Sequence, residues 1–385
     1  MRKLPVIILL FLFLIMNIEG EESSPRSGNP HICAKEQVEK LLKTAPCMEG
    51  FVSNQSGPLG RLDSSGNITN VVSFTVEQMK IPSDGISING WLYLPLGNGK
   101  HPLIVLTNGG GDGTRAIKSL SEWIAPILAH CGVAAFVHDK RGTGESGGVF
   151  IKTSYDEYAV DAGNCAQFLS THPRIDSSRI GVLGGSEGGR VAVLAASRFP
   201  IIKFVVSFAG TVVGAVDDRI NAQKGWLTSL NLPDSAFNEA LDLHSRSIRA
   251  WASGNREEHE KVNKEIVSLR KKYDASILPF TKEEMDTIPA FAVVLPTWYS
   301  LSRDYMSELK TFRKKWLAIF GQEDRVVPTE ASVNNIIKYM EQSGNNDYKI
   351  VVIPSIGHTP VNNQTKRMVR LDNIILNWLA ENGFN

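Results

Sequence analysis

The chain lacks any excess of charge: 41 lysines and arginines face 40 aspartates and glutamates, a formal net charge of +1 over 385 residues. A nucleic-acid binder carries a basic excess or a clustered basic stripe. Neither is present, so no nucleic-acid partner is expected. Cysteine is scarce, with four in the chain, no CxxC and no Cys/His cluster at zinc spacing. No metal site and no cofactor are expected. Internal repeats, low-complexity tracts and heptads are absent too, which excludes solenoids and coiled coils. What remains, at 42% apolar and 21% charged, is ordinary globular composition. The length suffices for one large core, or a core plus a sizeable insertion.

The N-terminus has its own pattern. Arg2 and Lys3 precede an apolar run, Leu4–Met16, and polarity returns at Asn17, Glu19 and Gly20. The run is shorter than the roughly 20 residues of a membrane-spanning helix, and with its basic lead it reads as a secretory signal. Gly20 suits a cleavage point, but Ile18 is bulkier than the small residue usual before one. An uncleaved N-terminal anchor over residues 1–20 is therefore the alternative. Either way an extracytoplasmic location is expected, secreted or periplasmic, with membrane contact only if the segment is kept. The cysteines fit that compartment. Cys33 and Cys47 flank a short helical segment and are placed to pair, while Cys131 and Cys165 lie in apolar helical surroundings and read as small core residues.

An N-terminal extension (residues 21–68) follows, polar from Glu21 to Pro30 and rich in Gly, Ser and Asn from Ser53 to Asn67. Val71–Ile81 and Ile86–Leu94, split by the turn Pro82-Ser83-Asp84-Gly85, read as an antiparallel hairpin. From Pro102 short apolar strands alternate with helices: Leu103–Thr107, Val133–Val137, Arg179–Leu183 and Lys203–Phe208 are strands, and Leu120–His130, Tyr155–Thr171 and Glu187–Ser197 are helices. The series resumes with strand Trp316–Phe320, helix Glu330–Glu341, strand Tyr348–Ile353 and helix Lys366–Ala380. Such alternation predicts an α/β fold, a doubly wound, mostly parallel sheet covered on both faces. Residues 69–213 and 311–385 form its core. The helical block between them, 214–310, reads as a cap insertion over the sheet, with its charged run Arg256–Lys272 as a solvated face.

Two pentapeptides match Gly-x-Ser-x-Gly, Gly144–Gly148 and Gly184–Gly188, where composition supplies about a quarter of such a match by chance. Context separates them. Ser186 directly follows an apolar strand and opens a helix rich in Ala, Val and Leu, the setting of a nucleophile elbow. Ser146 lies well past its strand and reads as a loop residue. A serine hydroxyl needs a base to take its proton and a third group to orient that base. With such an elbow the partners follow in the order Ser, Asp or Glu, His. Beyond Ser186 the histidines are His244, His259 and His358. The first two fall in the inserted helices, and His259 sits in the charged run, where a solvated role is expected. His358 ends the loop Pro354–His358 at the carboxyl end of a strand, where ligands bind in such sheets. Asp324 follows strand Trp316–Phe320, with Glu323 as a competitor and an exposed pair with Arg325 as the bland alternative.

An acyl-transfer site also needs donors for a developing oxyanion. The backbone N–H of Glu187 is expected to be one, and the loop Asn108–Gly113 is expected to supply the second. That loop lacks the Lys-Ser/Thr ending of a phosphate-binding P-loop and the spacing of a dinucleotide fold. Asp139 and Arg141 are read as ties between loops, although Arg141 or Arg115 contacting a substrate carboxylate is an alternative. Trp298 and Tyr299 either line a substrate pocket or pack inside the cap.

Four segments carry a family resemblance: Asp139–Ser146, Gly184–Gly189, Gly321–Asp324 with Val327-Pro328, and Gly357–Thr359. The chain resembles bacterial α/β-hydrolase esterases related to dienelactone hydrolases and prolyl-oligopeptidase catalytic domains, from about Val71 onward. The resemblance implies the α/β-hydrolase fold, a serine esterase activity and Asp324 rather than Glu323 as the acid. Three departures stand out. Dienelactone hydrolases usually carry cysteine where this chain has Ser186, and prolyl oligopeptidases carry a long propeller for which there is no room. Similar enzymes usually have His-Gly where this chain has Asn108-Gly109; the resemblance then implies Gly110 as the second oxyanion donor. The expected activity is hydrolysis of a small-molecule carboxylic ester through an acyl-enzyme. A peptidase or amidase with the same triad and a non-catalytic binding protein on this fold are the rivals. A thioesterase fits an extracytoplasmic site less naturally, since acyl-CoA is scarce there.

Overall fold

The computed structural model describes residues 29–49, 51–52, 60–62, 68–70, 73–110, 123–230, 232–272 and 299–384. Residues 1–20, expected to be a signal or anchor, and Gly111–Gly113, Arg115 and Trp298 lie outside them. Helix α1 (Lys35–Leu41) is followed by a small antiparallel sheet of β1 (Phe51–Val52), β2 (Gly60–Leu62) and β3 (Ile68–Asn70). Strands β4 (Phe74–Ser83) and β5 (Ile86–Pro95) then form the expected hairpin. Its two-residue turn puts Asp84 and Gly85 at φ 44° and 79°, the left-handed pair that matches strand twist.

The alternating series is β6 (His101–Thr107), α2 (Ile124–His130), β7 (Ala134–His138), α3 (Tyr155–Leu169), β8 (Ile175–Gly185), α4 (Glu187–Arg198) and β9 (Ile202–Phe208). Helices α5 (Ala215–Ser229), α6 (Asp234–Ala252) and α7 (Arg256–Lys272) interrupt it, before β10 (Lys315–Gly321), α8 (Thr329–Ser343), β11 (Tyr348–Ile353) and α9 (Leu371–Glu381). The eight-stranded sheet has the order β11-β10-β9-β8-β6-β7-β5-β4. β6 to β11 run parallel, and the β4–β5 hairpin joins antiparallel through β5 and β7. This is the α/β-hydrolase arrangement of a doubly wound, mostly parallel sheet.

Apolar residues on both faces of these strands leave no side for water. Leu103, Val105, Val182, Val205 and Ala318 enter one core, under α3, α4 and α8. Ile104, Leu106, Leu183, Val206 and Leu317 enter the other, under α2 and α9. Each such Leu or Ile contributes roughly 1.5–3 kcal/mol by leaving water. The chain winds one way from β6 to β7, then crosses back to place β8 on the other side of β6. A crevice opens at the carboxyl ends of strands at such a reversal, here beyond Thr107 and Gly185.

The cysteine expectation is corrected. Cys47 pairs with Cys131, with their Cα atoms 5.4 Å apart, and Cys33 and Cys165 are free. The cause is the path of the N-terminal segment, which docks along the sheet edge. Cys33 N–H donates to Ile350 O of β11 and His31 O accepts from Ile350 N–H. α1 then carries the chain to α9, where Asn377 donates to Leu41 O and Lys43 O. Cys33 is thus held at β11 while Cys47 reaches the end of α2. Cys165 is a buried core residue as expected; Cys131 is not. The last helix begins at Leu371, not Lys366, because Lys366 sits at φ 56° and Val361 bridges Met368 in a turn.

Candidate active site

β8 ends at Gly185 and α4 starts at Glu187, so one residue makes the whole strand-to-helix reversal. Ser186 does so at φ 55°, ψ −125°, a conformation that costs a side-chain-bearing residue about 1–3 kcal/mol. It is held there by its N–H bond to Phe208 O of β9 at 2.8 Å. The flanking glycines are required by crowding. A Cβ on Gly184 would run into the Gly188 carbonyl, and one on Gly188 into the Thr107 carbonyl. Thr107 Oγ1 donates to Gly188 O at 2.8 Å, stapling the turn to β6. The first N–H groups of α4, Glu187 among them, have no intrahelical acceptor.

Two later strand ends deliver the partners. Gln322 N–H and Glu323 N–H bond to Ile353 O and Ile356 O at 3.0 Å each, clipping the loop after β10 to the loop after β11. A Cβ on Gly321 would strike the Gly357 and Ile356 carbonyls, so that approach needs glycine. The result is a line of contacts: His358 Nε2 lies 3.0 Å from Ser186 Oγ, and His358 Nδ1 lies 2.9 Å from Asp324 Oδ2. A carboxylate only accepts, so Nδ1 carries the proton and Nε2 is free to accept from the serine hydroxyl. Asp324 Oδ1 accepts from the N–H groups of Val326 and Val327 at 2.8 and 2.9 Å. Its side chain is 0% exposed. The competitor Glu323 is exposed and bonded to Asn363, and the Asp324–Arg325 pairing does not form.

Burial, the largest influence on His358, pushes its pKa down; the charge and hydrogen bond of Asp324, with a smaller contribution from Asp218, outweigh it, and the net shift is upward. Asp218 was not singled out in the sequence. It stands on α5, where its carboxylate takes Arg190 Nη2 at 3.3 Å. The same helix fastens to the acid loop: Asn221 donates to Val326 O at 2.9 Å.

The second Gly-x-Ser-x-Gly is a buttress. Ser146 is buried, donates to Asp139 O and accepts from Asn89 N–H, both at 2.9 Å. Asp139 Oδ2 takes Asn89 Nδ2 and Glu145 N–H at 3.0 Å. Arg141 grips Asp161 through Nε and Nη2 at 3.0 and 2.7 Å. Asp139 and Arg141 thus tie their turn to β5 and α3 rather than to another loop. Asn108 Nδ2 donates to His138 O at 2.7 Å, fixing the start of the glycine loop. A Cβ on Gly109 would lie 3.4 Å from Gly185 O and 3.8 Å from Ser186 Cβ, so the loop abuts the elbow, with Gly110 next in line.

Other candidates are elsewhere. His244 lies on α6, its ring edge-on to Trp226 at 6.1 Å, and burial pushes its pKa down to about 4. His259 is buried, not solvated. It sits on the inner face of α7 with Val262, Ile266 and Leu269 and contacts Ser247 Oγ of α6 at 3.0 Å. Tyr299 is exposed and meets Trp251 of α6 edge-on at 6.2 Å.

A serine at the switch point of a doubly wound sheet, aligned with a histidine and a buried aspartate from later strand ends, defines the α/β-hydrolase class. Residues 163–360, just over half the chain and spanning all three groups, match the family described as BAAT / Acyl-CoA thioester hydrolase C terminal, and the chain belongs to that family. A thiohydrolase of Aspergillus aculeatus is 30% identical over 126 residues, 32% of this chain and 38% of the fungal protein, so the likeness spans little more than a third of that relative. Among solved structures, an esterase of Pyrococcus furiosus superposes with a TM-score of 0.50 at 16% identity, covering 80% of this chain and 91% of that one. A hypothetical protein of Pseudomonas aeruginosa superposes at 0.51 and 19% identity, covering 86% and 97%. At these identities the two share the fold.

Proposed function

We propose that the chain is a serine acyl-hydrolase that cleaves carboxylic esters through an acyl-enzyme on Ser186. One observation carries the reading: the unbroken contact line from Ser186 Oγ through His358 to the buried Asp324, at the strained elbow. In the proposed cycle His358 Nε2 takes the serine proton as Oγ bonds to the substrate carbonyl carbon. The N–H groups of Glu187 and Gly110 hold the oxyanion. Collapse breaks the bond to the leaving group, which takes the proton from His358. Water then gives a proton to His358 as it attacks the acyl carbon; collapse breaks the acyl–Oγ bond, His358 returns the proton to Oγ, and the acid leaves. A pre-set oxyanion donor is worth about 10²–10³ in rate.

A second reading has support of its own. The family and the Aspergillus thiohydrolase both point to thioesters, and the same triad cleaves either bond, since only the leaving atom differs. Matched acyl substrates with p-nitrophenol, thiol and anilide leaving groups separate the readings. Ester or thioester kcat/KM well above that of the anilide is expected; preference for the anilide would make this a peptidase or amidase. Ser186→Ala should keep the fold and lose turnover of all three.

The proposed workplace is outside the reducing cytosol. The Cys47–Cys131 bridge supports this, since structural disulfides persist in oxidising compartments. Among the described residues no helix is long and apolar enough to cross a membrane. Mass spectrometry of the mature N-terminus tests whether the first 20 residues are removed or kept as an anchor.

A further inference from the structure

Lys140 sits in the turn after β7, 3% exposed, in a position the reaction as drawn does not use. Its ammonium donates to the Gly109 carbonyl and to Glu187 Oε1, the latter at 2.6 Å, and lies 5.0 Å over the Tyr158 ring. Both acceptors belong to residues that bracket the proposed oxyanion site. The Gly109 carbonyl and the Gly110 N–H are the two ends of one planar peptide unit. In a trans peptide they point in opposite directions, and no peptide in the described chain is cis. Fixing the carbonyl therefore fixes where the N–H points. A Gly-Gly step has little preference of its own, so the loop needs such an external hold. On the other side, Glu187 is the first residue of α4, and its own N–H is the second donor.

We infer that Lys140 is a positioning residue for the oxyanion hole, setting the Gly110 and Glu187 N–H groups relative to one another through the Gly109 carbonyl and the Glu187 carboxylate. The inference rests on the acyl-enzyme reading above. A merely structural ion pair would act on folding alone, because breaking a buried pair leaves an uncompensated charge. Lys140→Met/Glu187→Gln removes both charges together and separates the two roles. The wild type, the double variant, Glu187→Gln and Ser186→Ala are compared by melting temperature, kcat, KM and affinity for an acyl trifluoromethyl ketone, which forms an oxyanion on the serine.

The double variant is expected to melt near the wild type and keep KM within about twofold, while kcat and ketone affinity fall together by about 10²-fold, the loss of one oxyanion donor. Glu187→Gln, which still offers Lys140 an acceptor and leaves the Gly109 carbonyl held, should fall far less. If the double variant does not fold, Lys140→Arg carries the test: its bulkier head should lower kcat at unchanged KM and melting temperature. A folded double variant, or failing that the arginine variant, with wild-type kcat and ketone affinity overturns the assignment. Ser186→Ala keeps the two proposals apart. Activity there overturns the acyl-enzyme, whereas a dead Ser186→Ala beside a fully active Lys140 variant overturns only the role of Lys140.

Discussion

Two stretches of this chain share the pattern Gly-x-Ser-x-Gly, and each has a buried aspartate near its serine, yet they behave as opposites. At Gly184–Gly188 a strand ends and a helix begins with one residue between, so the hydroxyl is pushed out at φ 55° to meet His358. At Gly144–Gly148 the chain folds back in a turn, and the Ser146 hydroxyl is used up by Asp139 O and Asn89 N–H. Asp324 aims one oxygen at an imidazole, whereas Asp139 spends the same atom on Asn89 and Glu145. A glycine-serine pattern marks a tight backbone; what the backbone connects decides whether the serine is presented or consumed.

The largest contrast is expected between the serines. Ser186→Ala should lower kcat by at least about 10⁴-fold, while Ser146→Ala should leave kcat within a few-fold and lower stability by about 1–3 kcal/mol, the cost of unsatisfied buried partners. Denaturant melts beside ester turnover check both. The aspartates come next. Asp324→Asn should reduce kcat by about 10³–10⁴-fold, because the amide favours the wrong imidazole tautomer; Asp139→Asn should act on the melting temperature.

A smaller effect is one of pH. Only neutral His358 accepts a proton, and its pKa lies above the ordinary histidine value of 6.5. Activity should therefore be full well above that raised pKa and be lost as pH falls through it. Asp218→Asn removes one of the charges raising it, so the acid limb of kcat/KM should move to lower pH; an unmoved or rising limb would contradict the coupling. The smallest expected effect is at Glu323→Gln, where the exposed carboxylate touches only Asn363 among its hydrogen-bond partners, and turnover should match the wild type.

Much of this was legible in the chain because it is local. The strands that precede Ser186, Asp324 and His358 are runs of Val, Ile and Leu too apolar to have a wet face, and each of the three residues stands within a few positions of a strand end. What escaped depends on contacts between distant segments. Lys140 and Glu187 are 47 residues apart and meet only because β7 and β8 flank β6. Cys47 finds Cys131 across 84 residues because the N-terminal segment is threaded along β11 and α9. His259 lies in a run of charges, but its helical phase, shared with Val262 and Ile266, turns it inward. Periodicity over α7 alone carried that signal.

The most direct test of the central claim is to label the wild-type protein with a fluorophosphonate and map the adduct by peptide mass spectrometry. Stoichiometric modification at Ser186, abolished in Ser186→Ala and untouched in Ser146→Ala, is the expected result. A folded protein that stays unlabelled, or one labelled at Ser146, would contradict it.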